Sequence, residues 1–135
     1  MQGPYLHIAF VRESIPEDEK LPIKDFLRTA NFEGDTETLS PQQIPSLTLF
    51  LGFTSGEYTG KATVGAEFTD PSGESFFPSV SLEVEFANSP NQAIHVIGTM
   101  EKVIFRQVGI HWIDVKLNQK VVTRIPLEVS YHQKK

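Results

Sequence analysis

The amino-acid sequence predicts an all-β domain, a two-sheet antiparallel sandwich of seven or eight strands. Three observations predict it. Apolar residues recur at every second position in several stretches, as they do in strands that bury one face. Clusters of Gly, Pro, Asn and Asp separate those stretches. No stretch holds the 3.6-residue period of an amphipathic helix. The 135 residues fit one domain, expected over 1–135, and 39% of them are hydrophobic, so a core can form. A chain of this size buries roughly 65–70% of its unfolded surface.

In chain order, Tyr5 to Val11 (YLHIAFV) is apolar throughout and reads as a strand buried on both faces. Residues 14–21 are acidic, contain Pro16 and read as a loop. Ile23 to Phe32 reads as a strand, Ile23, Asp25 and Leu27 against Lys24, Phe26 and Arg28, with a short helix as the alternative. Glu33 to Pro45 is a long polar connection, a kind of segment that is often functional or mobile in a compact domain. Ser46 to Phe53 is a strand with Leu47, Leu49, Leu51 and Phe53 on one face, and Gly52, Ser55, Gly56 and Gly60 frame the following turn.

Lys61 to Thr69 alternates cleanly, with Ala62, Val64, Ala66 and Phe68 facing inward. Asp70-Pro71-Ser72-Gly73-Glu74 is a turn, since Pro presets φ and Gly accepts the positive φ of a tight reversal. Val80, Leu82, Val84 and Phe86 form the inward row of the next strand. After the turn residues Asn88 to Asn91, Ala93 to Arg106 is long for one strand, and Gly98 marks a bulge or a break. The last hairpin places His111, Ile113, Val115 and Leu117 inward, with Trp112, Asp114 and Lys116 outward. Asn118-Gln119-Lys120 connects it to a strand over Val121 to Tyr131. Pro126 cannot donate to a ladder, so this strand is expected at a sheet edge, or with that position facing solvent.

The net charge is −5, with twelve Lys and Arg residues scattered along the chain. That argues against a nucleic-acid partner, which would need clustered basic residues. Cysteine is absent, which removes disulfides, thiolate metal sites and thiol catalysis, and suits a cytoplasmic location. The start MQGPYLHIAFVRES has neither the basic beginning nor the cleavage site of a signal peptide. No apolar run approaches the ~20 residues of a membrane helix, so no membrane partner is expected.

Two stretches, taken together, resemble a known family. One runs from Gly56-Glu57-Tyr58 to Asp70-Pro71-Ser72-Gly73-Glu74. The other is Gly109-Ile110-His111-Trp112-Ile113-Asp114-Val115 with Arg124-Ile125-Pro126-Leu127-Glu128-Val129. They are similar to a family of small, functionally uncharacterised bacterial proteins with a GEY…DPxG hairpin and a closing GxYWFxVxLxG…xRIPLxV hairpin. The resemblance implies an immunoglobulin-like β-sandwich of bacterial or phage origin, and no activity. Two positions depart from it: His111 stands where Tyr is usual, and Gln119-Lys120 where Gly is expected.

No catalytic or cofactor motif is present, and no cofactor is expected. The four histidines, His7, His95, His111 and His132, have no i+2 or i+4 pairing that would suit a metal. His111 points inward and reads as a buried imidazole with both nitrogens bonded to backbone. The acidic runs Glu17-Asp18-Glu19 and Glu33, Asp35, Glu37 lack the calcium-loop pattern and read as solvated. An enzyme would need a cluster distant in sequence, such as His7, His95 and a loop carboxylate. Outward aromatics are the remaining functional signal: Trp112, Phe50 and Phe26 are the candidate interface residues. The function expected is a non-catalytic protein-interaction or assembly module, with a protein partner or a homodimer. The alternative is a small-ligand or glycan binder that uses the aromatics and the 33–45 loop.

Overall fold

The computed structural model describes residues 3–13, 29–86 and 92–134. Eight strands carry them: β1 (Tyr5–Glu13), β2 (Thr29–Gly34), β3 (Gln42–Thr54), β4 (Gly60–Thr69), β5 (Ser75–Phe86), β6 (Ala93–Phe105), β7 (Gly109–Leu117) and β8 (Lys120–Gln133). One sheet has the order β1-β3-β6, the other β2-β8-β7-β4-β5. No helix occurs among the described residues. Every pairing is antiparallel except one: β2 runs parallel to β8, with Thr29 opposite Glu128. The second sheet is therefore mixed rather than purely antiparallel. Parallel neighbours need a crossover, and here nearly the whole chain lies between the two strands.

The period-two rows meet between the sheets. Leu47, Leu49, Leu51 and Phe53 of β3 face Ala62, Val64, Ala66 and Phe68 of β4 and Ile113 and Val115 of β7, all at most 5% exposed. Burying a side chain of the Leu or Phe size contributes about 1.5–3 kcal/mol, so this double row is a large part of the core. Phe105 packs against Phe32 and Phe76 at ring distances of 6.0 and 5.3 Å, tying β2 and β5 to β6.

Several elements differ in detail from the sequence reading. The 33–45 connection is shorter, because β2 continues to Gly34 and β3 starts at Gln42. Its remaining bend is tied down: Tyr131 Oη donates to the Thr36 carbonyl at 2.8 Å and Gln133 Nε2 to the Asp35 carbonyl at 3.1 Å. The 93–106 segment is one strand, and its irregularity lies at Lys102 rather than Gly98. Lys102 has φ 57°. Before it Met100 is buried; after it Val103 and Phe105 are, so the inward phase changes there. β3 changes phase opposite, at Pro45, between buried Ile44 and buried Leu47. The loop expected at 14–21 and most of the strand expected at 23–32 lie outside the described residues, and so does Phe26.

Pro126 is accommodated although β8 is not an edge strand. It sits opposite Trp112 of β7, and the described pairing of β2 with β8 begins only at Glu128. The β7–β8 turn consists of Asn118 and Gln119, with φ of 50° and 69°. Two consecutive left-handed residues make a type I′ turn, whose twist suits a hairpin. Asn118 tolerates that geometry, and its Oδ1 also accepts the Thr63 N–H at 2.9 Å. Gln119 has no such compensation in its type, which is why glycine is usual there.

Candidate functional site

The outward aromatics occupy different sheets. Phe50 of β3 lies on the outer face of the three-stranded sheet, stacked on Phe10 at 5.2 Å and against His95 at 5.5 Å. Trp112 of β7 lies on the outer face of the five-stranded sheet. The Arg124 guanidinium covers its ring at 4.3 Å and donates from Nε to Asp114 at 2.8 Å. Phe50 and Trp112 are both half-buried. The two therefore belong to separate surfaces.

The structure makes a further surface that the sequence did not single out. Among the described residues the sheets end at β1 and β6 and at β2 and β5, and the β5 and β6 edges line one slot. Between them opens a slot of about 250 Å³, floored by Leu49, Leu51, Val64 and Met100. Val80 and Leu82 rim it from β5, and Val96, Ile97 and Gly98 from β6. Val80, Leu82 and Ile97 are 45%, 53% and 60% exposed. Alternation correctly placed Val80 and Leu82 on the inward side of β5. It could not show that the facing sheet stops at β6 and leaves them in water. Ile97 is on the outer face, opposite Phe50 in the register. The signal in the sequence was apolar residues of both phases in Ile94-His95-Val96-Ile97.

Gly98 lies in the middle of this edge. Its φ is outside the left-handed region, and a Cβ there would meet nothing within 4 Å. Glycine is thus not required there by any contact among the described residues.

A larger cavity of about 530 Å³ opens at the β1–β8 seam, lined in part by Phe10, Ile110, Arg124 and Pro126. It lies near the ends of β1 and β2, between which residues 14–28 are outside the described part, so it carries no assignment.

His111 is fully buried between Phe76 and Phe105, both edge-on at 5.0 and 5.2 Å. Its Nδ1 donates to the Gly109 carbonyl at 3.2 Å. Nε2 has no partner among the described residues, so one ring nitrogen is bonded to backbone, not both as the sequence reading held. Burial holds its pKa below the ordinary 6.5, against smaller opposing effects of the Gly109 bond and the Asp70 charge. Asp70 caps the 70–74 turn: Oδ1 accepts from Ser72 Oγ at 2.6 Å, Ser72 N at 2.9 Å and Glu74 N at 3.0 Å. The Ser72 hydroxyl, above all, keeps the Asp70 pKa below its ordinary value.

His7 and His95 have separate neighbours: His7 Nε2 bonds Thr54 Oγ1 at 2.5 Å, while His95 rests on Phe50. Among the described residues no three His, Asp or Glu side chains are grouped as metal ligands would be. Among them, too, no helix is long and apolar enough to cross a membrane.

Fold and surface together define a class: a two-sheet β protein with an open slot between two strand edges. The chain belongs to a family of unknown function, DUF6941, whose profile matches residues 35–130. The match spans both hairpins on which the resemblance to a functionally uncharacterised family rests, and agrees with it. No curated protein matches the chain. Among solved structures, the chain is similar to a Pseudomonas fluorescens alkylpurine DNA glycosylase AlkC bound to DNA containing an abasic site analog. The identity is 10% and the TM-score 0.48, over 90% of this chain and 30% of that one. A likeness at that level carries no argument about function.

Proposed function

We propose that this chain is a non-catalytic protein-interaction module that receives an extended segment at the β6 edge, residues 93–101, above the apolar slot. The observation that carries this reading is a regular strand edge, without a neighbour among the described residues, directly beside exposed apolar side chains. Strand edges present unpaired N–H and C=O groups, and proteins normally blunt them with short strands, proline, charge or bulges. Two of the other described edges have such devices. β5 carries Pro78, Glu83 and Glu85. β1 has an irregular register between Leu6 and Ile8. β6 pairs regularly with β3 from Ala93 to Glu101 and contains no proline there. Lys102, with φ 57°, ends this regular stretch.

The slot adds side-chain pockets to that edge. Strand addition derives affinity from main-chain bonds and specificity from pockets for alternate side chains. Val80, Leu82 and Ile97 each forgo roughly half of a burial worth about 1.5–3 kcal/mol. A strand laid on β6 recovers part of it. Phe50 joins this surface from the outer face, beside Ile97. Trp112 does not take part in it, and Phe26 lies outside the described residues.

The same reading takes the sandwich as immunoglobulin-like. In that fold strands A, B, E and D form one sheet, and G, F and C, with C′ added, the other. The order β1-β3-β6 corresponds to A-B-E, and β8-β7-β4-β5 to G-F-C-C′. The place of strand D, beside E, then falls on the edge of β6 that has no neighbour among the described residues. A bacterial origin, carried by the resemblance, and a cytoplasmic location, suggested by the lack of cysteine, complete the reading.

A fluorescent peptide of alternating valine and threonine tests it. Saturable binding, lost in Ile97→Lys and retained in Trp112→Ala, is the expected result. Binding that Ile97→Lys leaves intact, or no binding at any concentration, overturns the proposal.

A further inference from the structure

We infer that the segment received at this edge is β6 of a second copy of the chain, paired antiparallel about a two-fold axis at Gly98. This rests on the β6 edge being the docking surface, and names its occupant.

The argument is one of self-complementarity. In an antiparallel pair directly opposed residues share a face. With the axis at Gly98, residues equally distant from it oppose each other. On the outer face His95 lies opposite the partner's Glu101, and Glu101 opposite the partner's His95. Ile97 lies opposite the partner's Thr99. On the inner face Val96 meets the partner's Met100, and Gly98 meets its own equivalent. The imidazole and the carboxylate thus pair twice, once on each side of the axis. Moving the axis to Ile97 sets His95 against Thr99, and moving it to Thr99 sets Ile97 against Glu101. Both registers lose the two polar pairs.

Gly98 supports the same axis. A glycine inside a strand weakens it and often marks the close approach of another backbone. Among the described residues no atom lies within 4 Å of where its Cβ would be, so none of them takes up the room that the glycine leaves. A two-fold axis normal to the sheet keeps both five-stranded sheets on one side. The two slots then adjoin, and Val80 and Leu82 of each copy are covered together. Lys102, with its left-handed φ, ends the pairing where the strand changes phase.

The test uses the full chain in sedimentation velocity over a dilution series, with circular dichroism to verify the fold of each variant. The expected mass is twice 15.2 kDa at high concentration, falling on dilution. His95→Glu opposes like charges at both pairs and weakens the dimer by about tenfold in Kd. Adding Glu101→Lys to that variant restores it. Both positions are exposed, so neither change disturbs the core. A dimer indifferent to His95→Glu, or not rescued by Glu101→Lys, overturns the inference. A monomer at every concentration that still binds the valine–threonine peptide overturns self-pairing and leaves the docking edge standing. A monomer that binds no peptide overturns both.

Discussion

Replacing His111 by Phe should flatten the dependence of stability on pH. The neutral ring carries its proton on Nδ1, donated to the Gly109 carbonyl. A second proton would go to Nε2, which is buried and has no acceptor among the described residues. Burial therefore lowers the pKa of His111 in the folded chain from 6.5. Between the folded and unfolded values the unfolded chain binds more protons. Stability is then complete above the unfolded value and is lost as pH falls below it. For one such group the loss between about pH 7.5 and about pH 5.5 is at most about 1.4 kcal/mol. His111→Phe keeps an aromatic ring between Phe76 and Phe105 and gives up one hydrogen bond, about 1 kcal/mol at neutral pH. It also removes the acid-dependent loss. Urea unfolding followed by Trp112 fluorescence, at equal protein concentration and at both pH values, measures the difference. The wild-type chain should lose up to about 1.4 kcal/mol more than the variant on acidification. An equal loss in both, or a wild-type chain that gains stability in acid, refutes the reasoning.

Gln119→Gly should stabilise the chain by about 1 kcal/mol, because it relieves a left-handed side chain in the β7–β8 turn, and the urea midpoint reports it. Gly98→Val should leave the fold intact and raise its stability by up to about 1 kcal/mol, since a Cβ there meets no described atom within 4 Å. Leu127, fully buried in β8, should cost about 2–5 kcal/mol when changed to Ala, measured in the same way. Asp70→Ala should speed amide exchange at Ser72 and Glu74, whose N–H groups donate to its carboxylate. In the wild-type chain the depressed Asp70 pKa means that this turn's contribution holds above the ordinary carboxylate range and fails as pH falls through the folded value.

Much of the sandwich was legible because its physics is local. The rows Ala62 to Phe68 and His111 to Leu117 need only a period of two to reveal their inner face, and Asp70 to Glu74 encode their turn in residue type. What was not legible depends on pairings distant in sequence. The parallel partnership of β2 with β8 joins residues about a hundred positions apart, and no local pattern distinguishes it. Glu33 to Pro45 read as loop because Glu33 and Gln42 are polar, yet both lie in strands through backbone pairing with β8 and β6. The slot followed from neither strand alone. Val80 and Leu82 have the pattern of core residues, and their exposure arises only because the opposite sheet ends at β6. His111 was placed inside correctly from alternation, but its unpartnered nitrogen depends on Phe76 and Phe105 arriving from other strands.

Amide hydrogen exchange resolved along β6 tests the central claim most directly. At high dilution, alternate amides between Ala93 and Glu101 should exchange quickly, because only every second N–H points toward β3. They should become protected as concentration rises or the valine–threonine peptide is added. Uniform slow exchange across 93–101 in the dilute chain would mean that the edge is already covered, and would contradict the account.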